Sequence, residues 1–252
     1  MNAQGKPKLA SILARLAHYR QLISRKIIDN IRSNLCLLCL QPAQTRCLCV
    51  GCLQDLPWQG RACTGCALAL PDEGTEERCV DCQQNPPRWQ SAHAVFQYQF
   101  PIDRLIAAFK YHHQLALTDF FAELMSALIT PPQGETLLVP VPLHPDRLRL
   151  RGYDQTLLLT RAISQYTGLP YRAQMLCRSR DTIMQKQLHR EARQENLAGA
   201  FACQASDLSR FHVVVIDDVM TTGATLNVIS EVLLQQGAKS VQALVIARTL
   251  PS

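Results

Sequence analysis

Apolar residues follow three regimes along the chain. At Leu9, Ile12, Leu13, Leu16, Tyr19, Leu22, Ile23, Ile27 and Ile31 they recur at steps of three and four, the period of an amphipathic helix. A helix is therefore predicted over residues 8–32. From Cys36 to Cys82 the periodicity fades, and nine cysteines share the segment with the turn formers Pro42, Gly51, Pro57, Gly60 and Gly65. Such a stretch buries too little apolar surface to order itself and needs a staple. Asn85, Pro86 and Pro87 read as a short stiff linker. Beyond Trp89, strand-like and helix-like runs alternate. Strands are expected at residues 92–100, 137–141, 175–178, 211–217 and 240–247, and helices at 102–112, 118–129, 155–166 and 223–236, the last two stopped by Gly168 and Gly237. That order predicts an α/β domain, a mostly parallel sheet with helices on both faces. The chain thus divides into a basic helical extension at 1–35, a cysteine-rich module at 36–85 and an α/β domain at 89–252.

Charge changes the picture at one end. Residues 1–35 hold Lys6, Lys8, Arg15, Arg20, Arg25, Lys26 and Arg32 against Asp29, which accounts for the whole formal charge of +6. A basic head on a neutral body attracts nucleic acid or an anionic surface, although an exposed cationic helix face has the same composition. The apolar stripe of that helix suits packing against the rest of the chain or a second copy. No apolar run is long enough to cross a bilayer and no export signal is evident, so the cytoplasm is the expected compartment. In a reducing compartment clustered thiolates usually hold metal rather than form disulfides.

The cysteine spacing agrees. Cys36 and Cys39, Cys49 and Cys52, Cys63 and Cys66, and Cys79 and Cys82 form four CxxC pairs, with Cys47 spare. Two residues between thiolates let a tight turn aim both sulfurs at one ion, and two such turns complete a tetrahedral zinc shell. One or two zinc ions are expected. Sequential and interleaved pairings share the same spacing, so the partners stay open. A shell filled by four thiolates leaves no position for water or substrate, which makes the expected role structural.

A second cluster of chemistry lies at residues 213–226, Val-Val-Val-Ile-Asp-Asp-Val-Met-Thr-Thr-Gly-Ala-Thr-Leu. Here an apolar strand leads into two carboxylates, a hydroxyl-rich turn and a helix start. Thr221, Thr222 and Thr225 offer hydroxyls to a phosphate, Gly223 permits close backbone approach, and free N–H groups at the helix start favour a dianion. Asp217 and Asp218, near the carboxyl end of a strand, suit vicinal ribose hydroxyls or Mg²⁺. A capped helix alone would require one Asp or Thr, not this whole run.

This stretch resembles the 5-phosphoribosyl diphosphate (PRPP) motif of type I phosphoribosyltransferases. By that resemblance Asp217 and Asp218 are the catalytic candidates and hold the ribose, and Thr221, Thr222, Gly223, Ala224 and Thr225 cradle the 5-phosphate. With the cysteine-rich head, the likeness extends to the ComF/GntX family, linked to competence and DNA uptake, from Cys36 to the C-terminus. Residues 139–144, with Arg147, Arg151, Gly152, Tyr153 and Gln155, resemble that family's first-strand loop and RGYNQ-like signature. Asp154 replaces the usual Asn, and its negative charge argues against a ligand role near a diphosphate. Residues 180–188 and those following resemble the family's flexible segment, with Arg180, Lys186, Arg190 and Arg193 as candidates for diphosphate contact.

The resemblance implies displacement of Mg²⁺-bound diphosphate from C1 of PRPP, with the protein supplying position and charge. No residue identifies itself as a base for the acceptor. Two further readings therefore stay open beside a ComF-type protein of DNA uptake: a nucleobase salvage enzyme, and a non-catalytic PRPP sensor that binds single-stranded DNA and works with the uptake machinery. A homo-oligomer is compatible with all three.

Overall fold

A computed structural model describes residues 35–43, 47–178, 200–205 and 207–250. The helix expected at 8–32 and the segment holding Arg180, Lys186, Arg190 and Arg193 lie outside the described residues. Two compact units part between Leu53 and Gln54.

The described part of the first unit is a cysteine knuckle. Leu35 bridges Pro42, Cys36 N–H donates to the Gln41 carbonyl at 2.8 Å and Leu40 N–H to the Cys36 carbonyl at 3.0 Å. Leu40 takes a positive φ of 61° to close the turn. A one-turn helix, α1 (Val50–Gln54), follows Cys49.

The second unit opens with the same device. Ala62 bridges Ala69, Cys63 N–H donates to the Leu68 carbonyl at 2.7 Å and Ala67 N–H to the Cys63 carbonyl at 2.8 Å. Ala67 has φ 57°, and α2 (Val80–Gln84) follows Cys79. The cysteine-rich stretch is therefore a repeated ribbon, a relation hidden in sequence because the loops between its pairs differ in length.

The α/β part contains β1 (Ser91–Gln97), α3 (Ile102–Tyr111), α4 (Leu117–Ser126), β2 (Glu135–Pro140), α5 (Pro145–Arg151), α6 (Gln155–Thr167), β3 (Leu176–Arg178), β4 (Phe201–Cys203), β5 (Phe211–Met220), α7 (Ala224–Gln235) and β6 (Ser240–Arg248). Four strands form one wholly parallel sheet in the order β1-β6-β5-β2, and β3 pairs antiparallel with β4 in a separate ribbon. Alternation along the strands divides the core. Val213, Val215, Ala243 and Val245 pack with Leu226, Ile229 and Leu233 of α7, while α4 and α6 lie against β1, β6, β2 and β5. Phe109 of α3, Phe121 and Met125 of α4, and Leu159 and Ile163 of α6 are fully buried. The fold is the doubly covered α/β sheet that the pattern predicts.

Within the α/β part β4, β5 and α5 differ from expectation. β5 runs on to Met220, three residues beyond the apolar run, because Val219 and Met220 pair with Ala247 and Arg248 of β6. The helix α5, rich in arginine and unpredicted, is started by His144, whose Nδ1 accepts from Asp146 N–H at 3.2 Å. It buries no residue, so no hydrophobic period announces it.

Candidate functional site

β5 delivers Asp217 and Asp218 inside its ladder, with Asp217 paired to Val245. Asp218 is buried at 6% exposure and is gripped from two sides. Lys110 Nζ on α3 donates to its Oδ1 at 2.6 Å, and Gln155 Nε2 on α6 donates to its Oδ2 at 2.8 Å. Asp217 Oδ1 accepts the backbone N–H of Asp218 at 2.8 Å. Burial, reinforced by the Asp218 carboxylate, pushes the Asp217 carboxyl up to about 7. One carboxylate is thus fixed and its neighbour poised between protonation states.

The next turn offers backbone donors. Thr221 and Thr222 are exposed, and Gly223 has φ 78° at the N-cap of α7, where no side chain caps the helix. Ala224 N–H reaches Thr222 Oγ1 only at 3.4 Å. The amino end of α7 therefore presents backbone donors and the positive pole of the helix dipole toward the Thr-Thr-Gly loop. Glycine is required at 223 on two grounds: the left-handed backbone, and a Cβ that would lie 2.8 Å from Trp89 Cη2.

Asp154 faces elsewhere. Its Oδ1 accepts from Leu157 N–H at 3.0 Å and from Thr156 Oγ1 at 2.7 Å, capping α6. The substitution of Asn by Asp thus conserves a cap. Beside Lys110, a cavity of about 340 Å³ is lined by Tyr111, His113, Arg147, Leu150 and Arg151. The Arg151 guanidinium lies 4.8 Å from the Tyr111 ring centroid and donates to its hydroxyl at 3.1 Å.

The sulfurs gather by sequential pairs. Cys36, Cys39, Cys49 and Cys52 form one group, and Cys63, Cys66, Cys79 and Cys82 the other, each with all four Sγ within 4.8 Å of one another. Zinc–sulfur bonds of about 2.3 Å in a tetrahedron set sulfurs about 3.8 Å apart. The Cys39–Cys49 and Cys66–Cys79 sulfurs stand 3.5 and 3.7 Å apart, so both sets fit a structural zinc ion. In the first, burial works to raise Cys36, yet the N–H groups of Cys49, Cys39 and Leu38 hold it down to about 6. Cys52 is driven above the ordinary thiol range by Cys39 and by burial. In the second, burial opposes and the N–H groups of Cys79, Cys66 and Gly65 favour the Cys63 thiolate, which settles at about 7, while burial and that thiolate push Cys66 up to about 11. In each set a thiolate sits beside thiols that are pushed up, and a cation among the sulfurs would let the whole set ionise.

Sequence reasoning missed Lys110 and gave Gln155 no role. Lys110 reads as the polar position of an amphipathic helix, and only tertiary packing brings it to Asp218.

A parallel sheet whose strand carries paired carboxylates into a Thr-Thr-Gly loop and an uncapped helix defines a phosphoribosyltransferase-type domain, and the phosphoribosyl transferase domain model matches residues 180–250. The DNA utilization protein YhgH of Salmonella typhimurium is 31% identical over 224 residues, 86% of this chain and 97% of that protein. Competence protein F of Haemophilus influenzae is 29% identical over 80% of this chain and 90% of its own length, and competence protein ComFC of Streptococcus pneumoniae 26% identical over 84% and 99%. Among solved structures, that of an allosteric regulatory enzyme of purine biosynthesis matches distantly, at 16% identity and TM-score 0.38, over 55% of this chain and 29% of that one. The chain belongs to the ComF-like family of phosphoribosyltransferase-domain proteins. No described helix is long and apolar enough to cross a membrane.

Proposed function

We propose that this chain binds PRPP with Mg²⁺ at the carboxyl end of β5 and serves the uptake and handling of DNA. The observation that carries the ligand assignment is the amino end of α7, left without a side-chain cap in a loop of small and hydroxyl residues directly after two carboxylates. In this reading Thr221, Thr222, Gly223, Ala224 and Thr225 take the 5-phosphate. Asp217 and Asp218 take the ribose hydroxyls, since each Asp218 oxygen keeps a lone pair beyond its bond to Lys110 or Gln155. Mg²⁺ would neutralise the diphosphate leaving group. The cavity beside Lys110, with Arg147 and Arg151, offers charge to an anionic second reactant. Arg180, Lys186, Arg190 and Arg193 supply further cations toward the diphosphate. The DNA role is supported by the names of the relatives, and single-stranded DNA is the polymer proposed. Two zinc ions in the thiolate clusters stay structural, which suits the reducing cytoplasm.

Asp217→Asn combined with Asp218→Asn tests the site. Each lost charged hydrogen bond is worth about 1.5–3 kcal/mol, so calorimetric PRPP affinity should fall by at least a hundredfold while the circular dichroism spectrum is retained. Unchanged affinity removes the assignment. In the same preparation, diphosphate release that depends on added nucleobases or on single-stranded DNA makes the protein a transferase and identifies its acceptor class. PRPP binding without release makes it a sensor acting with DNA.

A further inference from the structure

The second cysteine group and the phosphate loop are joined by two side chains. The turn at Cys63–Cys66 presents two successive carbonyls. Gly65 accepts from Trp89 Nε1 at 2.5 Å, and Cys66 accepts from Arg248 Nε at 2.8 Å. The far ends of the same two side chains hold the loop. Arg248 Nη1 donates to the Met220 carbonyl at 3.0 Å and also to the Thr221 carbonyl, and the Trp89 ring closes against Gly223, where any Cβ would meet it. Arg248 is buried at 8% exposure and Trp89 at 6%, so neither can relocate without opening the core. The turn itself has little freedom, because a Cβ at Gly65 would sit 3.0 Å from both Cβ and Sγ of Cys82. Where Gly65 and Cys66 direct their carbonyls is therefore decided by how Cys63, Cys66 and Cys82 gather. Charge favours the same arrangement: a divalent ion on four thiolates carries a net double negative charge beside the buried guanidinium.

We propose that Arg248 and Trp89 are positioning residues that transmit the state of the Cys63/Cys66/Cys79/Cys82 metal cluster to the Met220–Gly223 phosphate loop, so that metal and phosphosugar bind cooperatively. The ligand half of this inference rests on the proposed PRPP site. Neither side chain reaches the ligand. Arg248 uses carbonyls of the loop, leaving the loop N–H groups to face the phosphate, and Trp89 supports the left-handed turn from behind. Because coupling free energy is reciprocal, a bound phosphosugar must tighten metal binding by the factor by which metal improves phosphosugar binding, typically about 5- to 150-fold.

The test uses the full chain loaded with zinc and two variants, Arg248→Lys and Trp89→Phe, each checked by elemental analysis for retained zinc. Hydrogen exchange at amides 221–225 should rise several-fold in both variants while residues 241–247 keep their protection. Unchanged exchange in both overturns the proposal whatever the protein binds. In a second arm, zinc is drawn off by a chromogenic chelator. PRPP with Mg²⁺ should slow one of two release phases in the native chain and neither phase in the variants. If calorimetry shows PRPP bound and both phases run unchanged, the coupling is wrong and the ligand assignment stands. If the native chain binds no PRPP, the assignment falls and the exchange arm still decides whether the cluster holds the loop.

Discussion

Lys110 and Gln155 hold Asp218 from two different helices, while Asp217 bears the cost of adjacency. Its carboxyl, raised to about 7 by burial and by Asp218, with Lys110 opposing and Asp154 adding to the shift, keeps a proton in the fold that the unfolded chain has already released. Between about pH 4 and 7 the folded state thus binds more protons, and stability falls as pH rises through that window. Asp217→Asn should flatten that part of the urea-denaturation profile. Ligand affinity has the opposite sign, because ribose hydroxyls donate to the ionised form. PRPP binding measured by calorimetry should strengthen up to roughly tenfold from pH 6 to pH 8, more than in Asp217→Asn. A pH response equal in both proteins would assign the effect to the ligand's own phosphates. Neither the shift nor the Lys110 pair was legible in sequence, where Asp217 and Asp218 are indistinguishable, because the difference lies in which partners the fold brings to each.

At the scale of elements, the pattern found strands and helices wherever apolar residues face a core. β1, β2, β5, β6, α3, α4, α6 and α7 all match predicted runs within a few residues. It missed α5 and β4, which are set by other means. The first is a capped, exposed arginine helix, and the second is three residues of pairing with β3. The run of Val213–Leu226 was readable because it compresses strand, turn and helix start into one stretch, whereas Arg248 and Trp89 come from opposite ends of the domain. The cap of α6 gives a sharp prediction. Asp154→Asn keeps an accepting oxygen and should leave stability within about 0.5 kcal/mol, while Asp154→Ala should cost about 1 kcal/mol in urea denaturation. Asp154→Asn also removes a charge that raises Asp217, so PRPP affinity near pH 7 should hold or rise. A loss would place Asp154 among the ligand contacts after all.

For the whole molecule, the two sequentially paired groups of sulfurs predict two zinc ions per chain in freshly purified, reduced protein. Elemental analysis finding none would overturn the metal reading, and a value near one would show that only one ribbon is loaded. The seven cations of residues 1–35 predict that their removal weakens binding to single-stranded DNA and lessens its salt dependence, each lost phosphate contact lowering the slope of log affinity against log salt by about 0.7. An unaltered slope would move the DNA contact to the remaining chain.

The order of strands also fixes when this domain can be completed during synthesis. Among the described strands of the sheet β1 pairs with β6 alone, Ser91 opposite Gln242. A nascent chain therefore exposes an unpartnered edge until β6 has emerged from the ribosome, and non-local pairing of this kind is slow and open to aggregation meanwhile. The second cysteine ribbon borders that waiting strand, with Gln59 N–H donating to the Val95 carbonyl at 2.8 Å and Ala92 N–H to the Thr64 carbonyl at 2.9 Å. A ribbon that captures its ion early would shield one flank of β1 through the interval, and so act as an internal holding device for a sheet that can be finished only once β6 has been made.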